Sequence, residues 1–349
     1  MKKITQDLKN GKTNILVSPM PSLKSGHLLI KSEYSVISLG TEKMLIDFGK
    51  ANFLKKAKLQ PEKMKKVIAK MQTDGLVPTL KSVMNKLNEP ISLGYSNAGI
   101  VCGIGTNVKG YRIGDRVISN GPHSDYFNAP VNLCAKIPGK VSNKEASFTV
   151  LGSISLQSIR LLQPSIGETV YVFGMGLIGL IAVQILINNG CNVIAIDYNS
   201  DRLDKAKSFG AKIIKLVPNK NINSQIKQFN NFDEDDGVIV ATNTKSNEPI
   251  DIASAISKKR GKIILVGDSG LNINRTEFYN KELSFQVSRS YGPGRYDKIY
   301  EEEGIDYPIE YVRWTEKRNF EAILWLLNEG KLNFISLISP QFTLEESVN

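Results

Sequence analysis

TVYVFGMGLIGLIAVQILINNGCNVIAID, residues 169–197, decides the fold. TVYVFG is a continuous apolar run of the kind that forms a strand buried on both faces. GMGLIGLIAVQILINNG reads as a helix opened by glycines, and NVIAID as a second buried strand. Strand–turn–helix–strand over so few residues is one βαβ unit, and such units build a parallel sheet.

The turn of this unit is Gly174-Met175-Gly176-Leu177-Ile178-Gly179. A GxGxxG has chemical meaning only between a strand and a helix, which is where this one lies. Gly174 permits the tight turn, Gly176 lets the backbone approach a pyrophosphate, and Gly179 lets helix and strand pack closely. Leu177 and Ile178 open the helix, whose free N–H groups and dipole favour an anion. Asp197 closes the second strand, 18 residues beyond Gly179. A carboxylate there accepts hydrogen bonds from the adenosine ribose and repels a 2′-phosphate. Neither Tyr198 nor Asn199 supplies a compensating charge, while Arg202 could pair with Asp197 or touch the ribose. The pattern predicts a Rossmann site for NAD rather than NADP. The competing reading is a structural Gly-rich turn with a capping acid.

Downstream, strand and helix keep alternating: a helix through DRLDKAKSFG, strands at AKIIKLV and DGVIVAT, a helix over 248–258 and a strand at GKIILVG. This extends the doubly wound parallel sheet. Ala241 ends one strand, and Val266-Gly267-Asp268 ends a later one, placed to reach the nicotinamide half across the switch point. Residues 315–330 form an amphipathic helix, with Phe320, Ile323, Leu324 and Leu327 on one face.

Upstream, the pattern is different. LLIKSEYSVIS has the alternation of a half-buried strand, and residues 91–137 read as short strands rich in glycine. Gly94, Gly99, Gly103, Gly105, Gly110 and Gly114 are read there as tight turns. A Lys-rich stretch over 43–89 lies between, with Met64, Val67, Ile68 and Met71 at helical spacing. Residues 145–163 read as a helix before Pro164.

The chain of 349 residues is long enough for about two domains. A hydrophobic fraction of 41% and a charged fraction of 23% suit a globular protein. No apolar run approaches the ~20 residues that span a bilayer, and MKKITQDLKN has no apolar stretch of a signal peptide. Three scattered cysteines, Cys102, Cys134 and Cys191, fit a reducing cytoplasm rather than a disulfide framework. The net charge of +11 sits partly in residues 50–87, with ten lysines against Glu62 and Asp74. That block reads as a solvated helical face, because no aromatic-interleaved stripe or nucleic-acid motif accompanies it.

A Gly-rich barrel followed by this Rossmann unit resembles the medium-chain dehydrogenase/reductase superfamily. LGYSNAGIVCGIGTNVKGYRIGDRV, residues 93–117, resembles its barrel signature, which normally begins Gly-His-Glu. The resemblance implies a GroES-like catalytic domain over 1–145 and 292–349, with a Lys-rich helical insertion near 43–89. A Rossmann domain over 146–291 is set between its two parts, and a homodimer is expected. It also marks departures. Tyr95 and Ser96 stand where zinc-dependent members have His and Glu, Leu39 stands in the place of a ligand Cys, and no four-Cys lobe is present. A catalytic zinc needs about three N, S or O ligands, so no zinc is expected. SLGTEKMLIDFGK (38–50) and SRSYGPGRYDKIYEEEGIDYPIEYVRWTEKRN (288–319) look like a zinc-less subgroup. There the module is commonly the N-terminal half of a bi-domain oxidoreductase, whose second half is similar to glucose–fructose oxidoreductases and which is associated with surface-polysaccharide sugars. The end at QFTLEESVN looks short against the superfamily, as in a module of a longer polypeptide.

Without zinc, hydroxyls and charged groups must handle the proton that accompanies hydride transfer. Tyr95 is the first candidate, with Ser38, Thr41 and Glu42 from the loop that would hold the Cys ligand, and His123 in NGPHSDYF. Each has a plainer alternative: Tyr95 as a volume filler, Glu42 as an acid in a first helical turn, His123 as a loop residue. By resemblance, SRSYGPGRY lies beside the nicotinamide. Ser290 is assigned to the cofactor, and Arg289, Tyr291, Arg295, Arg313 and Trp314 to the substrate, the arginines as bidentate clamps for a carboxylate or diphosphate. The alternative is a helix cap docked on the barrel. The expected function is a zinc-independent NAD(H) oxidoreductase acting on a sugar, sugar acid or nucleotide-sugar. An NAD-retaining lyase or epimerase, and a non-catalytic module serving a second oxidoreductase domain, are the alternatives.

Overall fold

The computed structural model describes residues 1–51, 89–218, 220, 224 and 236–348. They form two compact units, residues 1–131 with 339–349, and residues 132–338. Most of the Lys-rich stretch over 43–89, including Met64 to Met71, lies outside the described residues.

The first unit is antiparallel. Strands β1 (Lys2–Gln6), β2 (Thr13–Val17) and β4 (Ile91–Ser92) make one small sheet in the order β2-β1-β4. Strands β3 (His27–Ser35), β5 (Asn97–Ile104), β6 (Arg116–Ser119) and β7 (Tyr126–Pro130) pair in the order β7-β3-β5-β6. Leu28 and Ile30 of β3 and Phe127 and Ala129 of β7 point inward with the period of two that a half-buried strand requires, and Ala98, Val101 and Val117 are buried as well. Two glycines read as turns lie inside β5: Gly99 and Gly103. A Cβ on Gly99 would meet the Lys31 carbonyl oxygen at 2.2 Å, so the strand needs glycine for close approach to β3. Helix α1 (Leu39–Lys50) follows β3 directly.

The second unit holds a six-stranded, wholly parallel sheet. After β8 (Cys134–Lys136), its strands are β9 (Thr169–Phe173), β10 (Asn192–Asp197), β11 (Lys212–Lys215), β12 (Gly237–Val240), β13 (Lys262–Leu265) and β14 (Ser284–Val287). Their order is β11-β10-β9-β12-β13-β14, so the winding reverses between β9 and β12. Helices α2 (Asn143–Ala146), α3 (Thr149–Leu162), α4 (Leu177–Asn188), α5 (Ser200–Ser208), α6 (Glu248–Ile256), α7 (Arg275–Lys281), α8 (Lys298–Glu301) and α9 (Glu316–Asn328) join or flank these strands. One core contains Tyr171, Phe173, Ile194, Ile196, Val238, Val240, Ile263 and Leu265. Strands buried on both faces explain the continuous apolar runs in the sequence. Residues 132–145 and 292–338 lie in this unit. No helix of the described residues is long and apolar enough to cross a membrane.

Candidate functional site

The carboxyl ends of β9 and β12 meet at the reversal of the sheet, where open α/β sheets bind ligands. Gly174 follows β9 at φ +90°, a conformation that side chains rarely adopt. A Cβ there would lie 2.9 Å from the Ala241 carbonyl oxygen. A Cβ on Gly179 would lie 1.8 Å from the Gly174 carbonyl oxygen, so α4 packs on its own loop. Gly176 differs: a Cβ there would meet nothing within 4 Å. Gly176 is also the N-cap of α4 and brings no capping side chain, which leaves the first N–H groups of the helix to an incoming anion. Leu177 and Ile178 form the half-exposed first turn. The Ser155 hydroxyl donates to the Ile178 carbonyl at 2.9 Å and ties that turn to α3.

Asp197 stands beside this loop. Its Oδ2 accepts the Met175 N–H at 2.6 Å, and its Oδ1 accepts the Asn199 N–H at 2.8 Å. The acid therefore shapes the glycine turn as well as offering lone pairs to a ribose. A cavity opens next to it, lined by Asp197, Tyr198, Leu216, Thr242, Pro249 and Ile252 among others. Two acids, Asp197 and Glu248, border an otherwise largely apolar slot of a kind that suits a flat base joined to a ribose. Tyr198 and Arg202 are exposed, and Arg202 gives its backbone N–H to the Asn199 cap. Lys215, paired in register with Asp197, puts its ammonium on the Ser200 hydroxyl at 3.1 Å. Its place on the next strand gave no local signal. Ala241 caps β12 through an N–H bond to the Phe173 carbonyl, and Val266 follows β13 with an N–H bond to the Val240 carbonyl. Gly267 is exposed, and Ser290 adopts φ +48°.

The hydroxyl and acid candidates of the first unit come together. Ser35 ends β3, Ser38 caps α1, Tyr95 precedes β5 and His123 precedes β7. Gly94, at φ +91°, brings two of these segments close: a Cβ there would lie 2.5 Å from the His123 backbone nitrogen. The Tyr95 hydroxyl donates to Ser38 Oγ at 2.8 Å. The Ser38 N–H donates to Glu42 Oε1 at 2.8 Å. Glu42 Oε2 lies 2.9 Å from His123 Nε2, and His123 Nδ1 lies 2.7 Å from Ser35 Oγ. Thr41 also bonds the Tyr95 hydroxyl through its side chain. A carboxylate only accepts, so Nε2 carries the His123 hydrogen and Nδ1 accepts from Ser35 in the neutral ring.

Glu42 and His123 are buried, at 4% and 3% exposure. Glu42 does lie in the first turn of α1, yet it serves Ser38 and His123 rather than the helix alone. Burial raises the Tyr95 phenol above its ordinary value, the Glu42 charge adds to this, and the bonds with Ser38 and Thr41 oppose it. Tyr95 thus keeps its hydrogen at neutral pH.

The substrate candidates of the second unit are mostly engaged with the protein itself. Arg295 pairs with Glu301 and stacks on Tyr296, its Cζ 3.9 Å from the ring centre. Tyr291 is buried against Phe320, with 5.2 Å between ring centres. Arg289 is exposed over Tyr296. Arg160 lies over one face of the Trp314 ring, its guanidinium carbon 3.4 Å from the ring centre.

No group of three His, Cys, Asp or Glu among the described residues could hold a metal. Glu42 and His123, the two that meet in the first unit, are bonded to each other and to Ser38 and Ser35. These donors do not fit a catalytic zinc, which needs about three protein ligands and an open position.

Residues 178–303 match the family model described as zinc-binding dehydrogenase. The chain is 29% identical over 267 residues to D-guloside 3-dehydrogenase of Escherichia coli, covering 73% of this chain and 71% of that protein. It is 25% identical over 249 residues to the probable D-xylulose reductase A of Emericella nidulans, covering 60% and 68%. The crystal structure of galactitol-1-phosphate dehydrogenase from Escherichia coli superposes with a TM-score of 0.72 at 18% identity, over 97% of this chain and 92% of that one. The fold is therefore that of the medium-chain alcohol dehydrogenase structures, and in sequence the chain is similar to proteins named as sugar dehydrogenases and reductases.

Proposed function

We propose that the chain is an NAD(H)-dependent oxidoreductase that moves a hydride to or from a hydroxyl-bearing carbon of a sugar, sugar acid, nucleotide-sugar or sugar alcohol, without zinc. The observation that carries this is the glycine loop held by Asp197, with Gly176 open at a free helix N-terminus. Two relatives whose names place them on sugars, D-guloside 3-dehydrogenase and the probable D-xylulose reductase A, support the substrate class.

Gly174, Gly176, Gly179, Asp197 and the slot by Leu216 and Pro249 would hold the dinucleotide. When bound, the nicotinamide supplies hydride transfer. The proton belongs to the first unit. Ser38 accepts from Tyr95, so its own hydrogen is free to point at a substrate oxygen. In carbonyl reduction that oxygen takes the Ser38 proton, Tyr95 replaces it, and the tyrosinate left behind is reprotonated from water. In alcohol oxidation the proton runs the other way. Glu42 fixes the Ser38 backbone, and His123 fixes Glu42.

The test is a screen of polyols, glycosides and nucleotide-sugars for absorbance change at 340 nm with NAD or NADH. Ser38→Ala and Tyr95→Phe should each lower kcat on any substrate found by roughly a hundredfold, with dinucleotide affinity unchanged. Turnover with no net absorbance change would point instead to a lyase or epimerase that recycles its cofactor.

A further inference from the structure

We infer that Arg160, Arg313 and Trp314 form a binding site for a phosphate group, separate from the residues assigned to the dinucleotide. Arg160 lies in the last turn of α3, and its guanidinium carbon sits 3.4 Å from the centre of the Trp314 ring. Arg313 approaches the same ring at 5.1 Å. Two cations thus share one indole.

The arrangement is built, not loose. Arg160 Nε donates to Asn319 Oδ1 at 2.7 Å. Asn319 is fully buried and is itself fixed, its Nδ2 donating to the Tyr291 carbonyl at 2.9 Å and to Gln157 Oε1 at 3.4 Å. With Nε anchored on Asn319 and the guanidinium carbon over the indole, Arg160 is fixed in place while its Nη groups make no side-chain ion pair among the described residues.

The charge is also uncompensated. Two other arginines of this unit, Arg295 and Arg318, pair with Glu301 and Asp306. Among the described residues neither Arg160 nor Arg313 pairs with a carboxylate. Burial, together with the nearby Arg313 charge, pulls Arg160 down to about 10. Cation–π contact with Trp314 offsets part of the desolvation but does nothing for the repulsion between the two guanidiniums. A phosphate oxyanion does both, because it accepts charge-assisted bonds from the two forks and cancels their charge. Phosphate suits the site better than a single carboxylate, since two cations lie against one ring and a phosphate offers three oxygens to them.

The phosphate has two possible sources, a free anion or a phosphorylated sugar. Titrating the whole chain with sodium phosphate at constant ionic strength, followed by calorimetry or by Trp fluorescence, tests the site. The expected result is saturable binding that weakens at least tenfold in Arg160→Gln and Arg313→Gln, with NADH affinity and melting temperature near those of the parent. Arg160→Lys, which keeps charge but loses the fork, should recover only part of the affinity. A sugar phosphate that binds tighter than phosphate and the parent sugar marks a substrate group, whereas equal affinity for phosphate and sugar phosphate marks a free anion. The proposal is overturned if phosphate does not bind, if chloride competes as well as phosphate, or if both glutamine variants bind as the parent does. NADH binding reads out separately, so failure here leaves the dinucleotide site untouched.

Discussion

Glu42 Oε2 lies 2.9 Å from His123 Nε2, with both side chains buried. The pair joins the start of α1 to the loop before β7, and through the Ser38 N–H it sets the hydroxyl that Tyr95 contacts.

A buried donor left without its acceptor costs about 1–3 kcal/mol. Glu42→Gln keeps an acceptor for only one of the Ser38 and His123 N–H groups and should destabilise the chain by roughly that amount, read as a lower urea midpoint. It should also lower kcat with little change in NADH affinity. A variant with unchanged midpoint and kcat would remove Glu42 from the account.

The three loop glycines should fail in different ways. Gly179→Ala forces a Cβ against the Gly174 carbonyl, and Gly174→Ala adds a side chain at positive φ, so both should lose stability by roughly 1–3 kcal/mol. Gly176→Ala meets open space and should melt like the parent, yet bind NADH at least about tenfold more weakly, because the methyl occupies the approach of the pyrophosphate. Melting curves alongside NADH titrations separate these outcomes.

Asp197→Asn keeps an acceptor for the Met175 N–H but removes the charge that repels a 2′-phosphate. The ratio of NADPH to NADH affinity should rise by about tenfold or more. A ratio that does not move would mean that Asp197 serves the loop alone.

Glu316 is fully buried, and neither carboxyl oxygen has a hydrogen-bond partner among the described residues. Burial first, and the nearby Glu301 charge second, raise it from 4.5 to about 9, while Arg295 opposes them. The unfolded chain ionises this group near pH 4.5 and the folded chain only near pH 9. Stability is therefore full below the lower value and is lost as pH rises between the two. At neutral pH the loss is on the order of 3 kcal/mol. Glu316→Gln should raise the melting temperature at pH 8 and barely change it at pH 4.5. An equal gain at both would contradict the assignment.

The nucleotide loop was legible because its determinants are local. The change from a strand period to a helix period, the glycine spacing and the acid at the next strand end all fall within residues 169–197. Glu42 and His123 were named as separate candidates, but their pairing spans 81 residues and depends on Gly94 letting two loops close up. Gly99 and Gly103 were read as turns because glycine content alone does not distinguish a turn from a tight crossing of strands. Arg295 and Tyr291 were read as substrate contacts, yet one has its charge met by Glu301 and the other packs on Phe320. Arg160 carries no local signal, since Trp314, which gives it a role, is distant in sequence.

The central claim is the dinucleotide site, and direct titration of the purified chain with NADH tests it most simply. Enhanced NADH fluorescence with saturable binding in the micromolar range, weaker binding of NADPH and loss of affinity in Gly176→Ala are the predicted results. No saturable binding of either dinucleotide to folded protein would contradict the account.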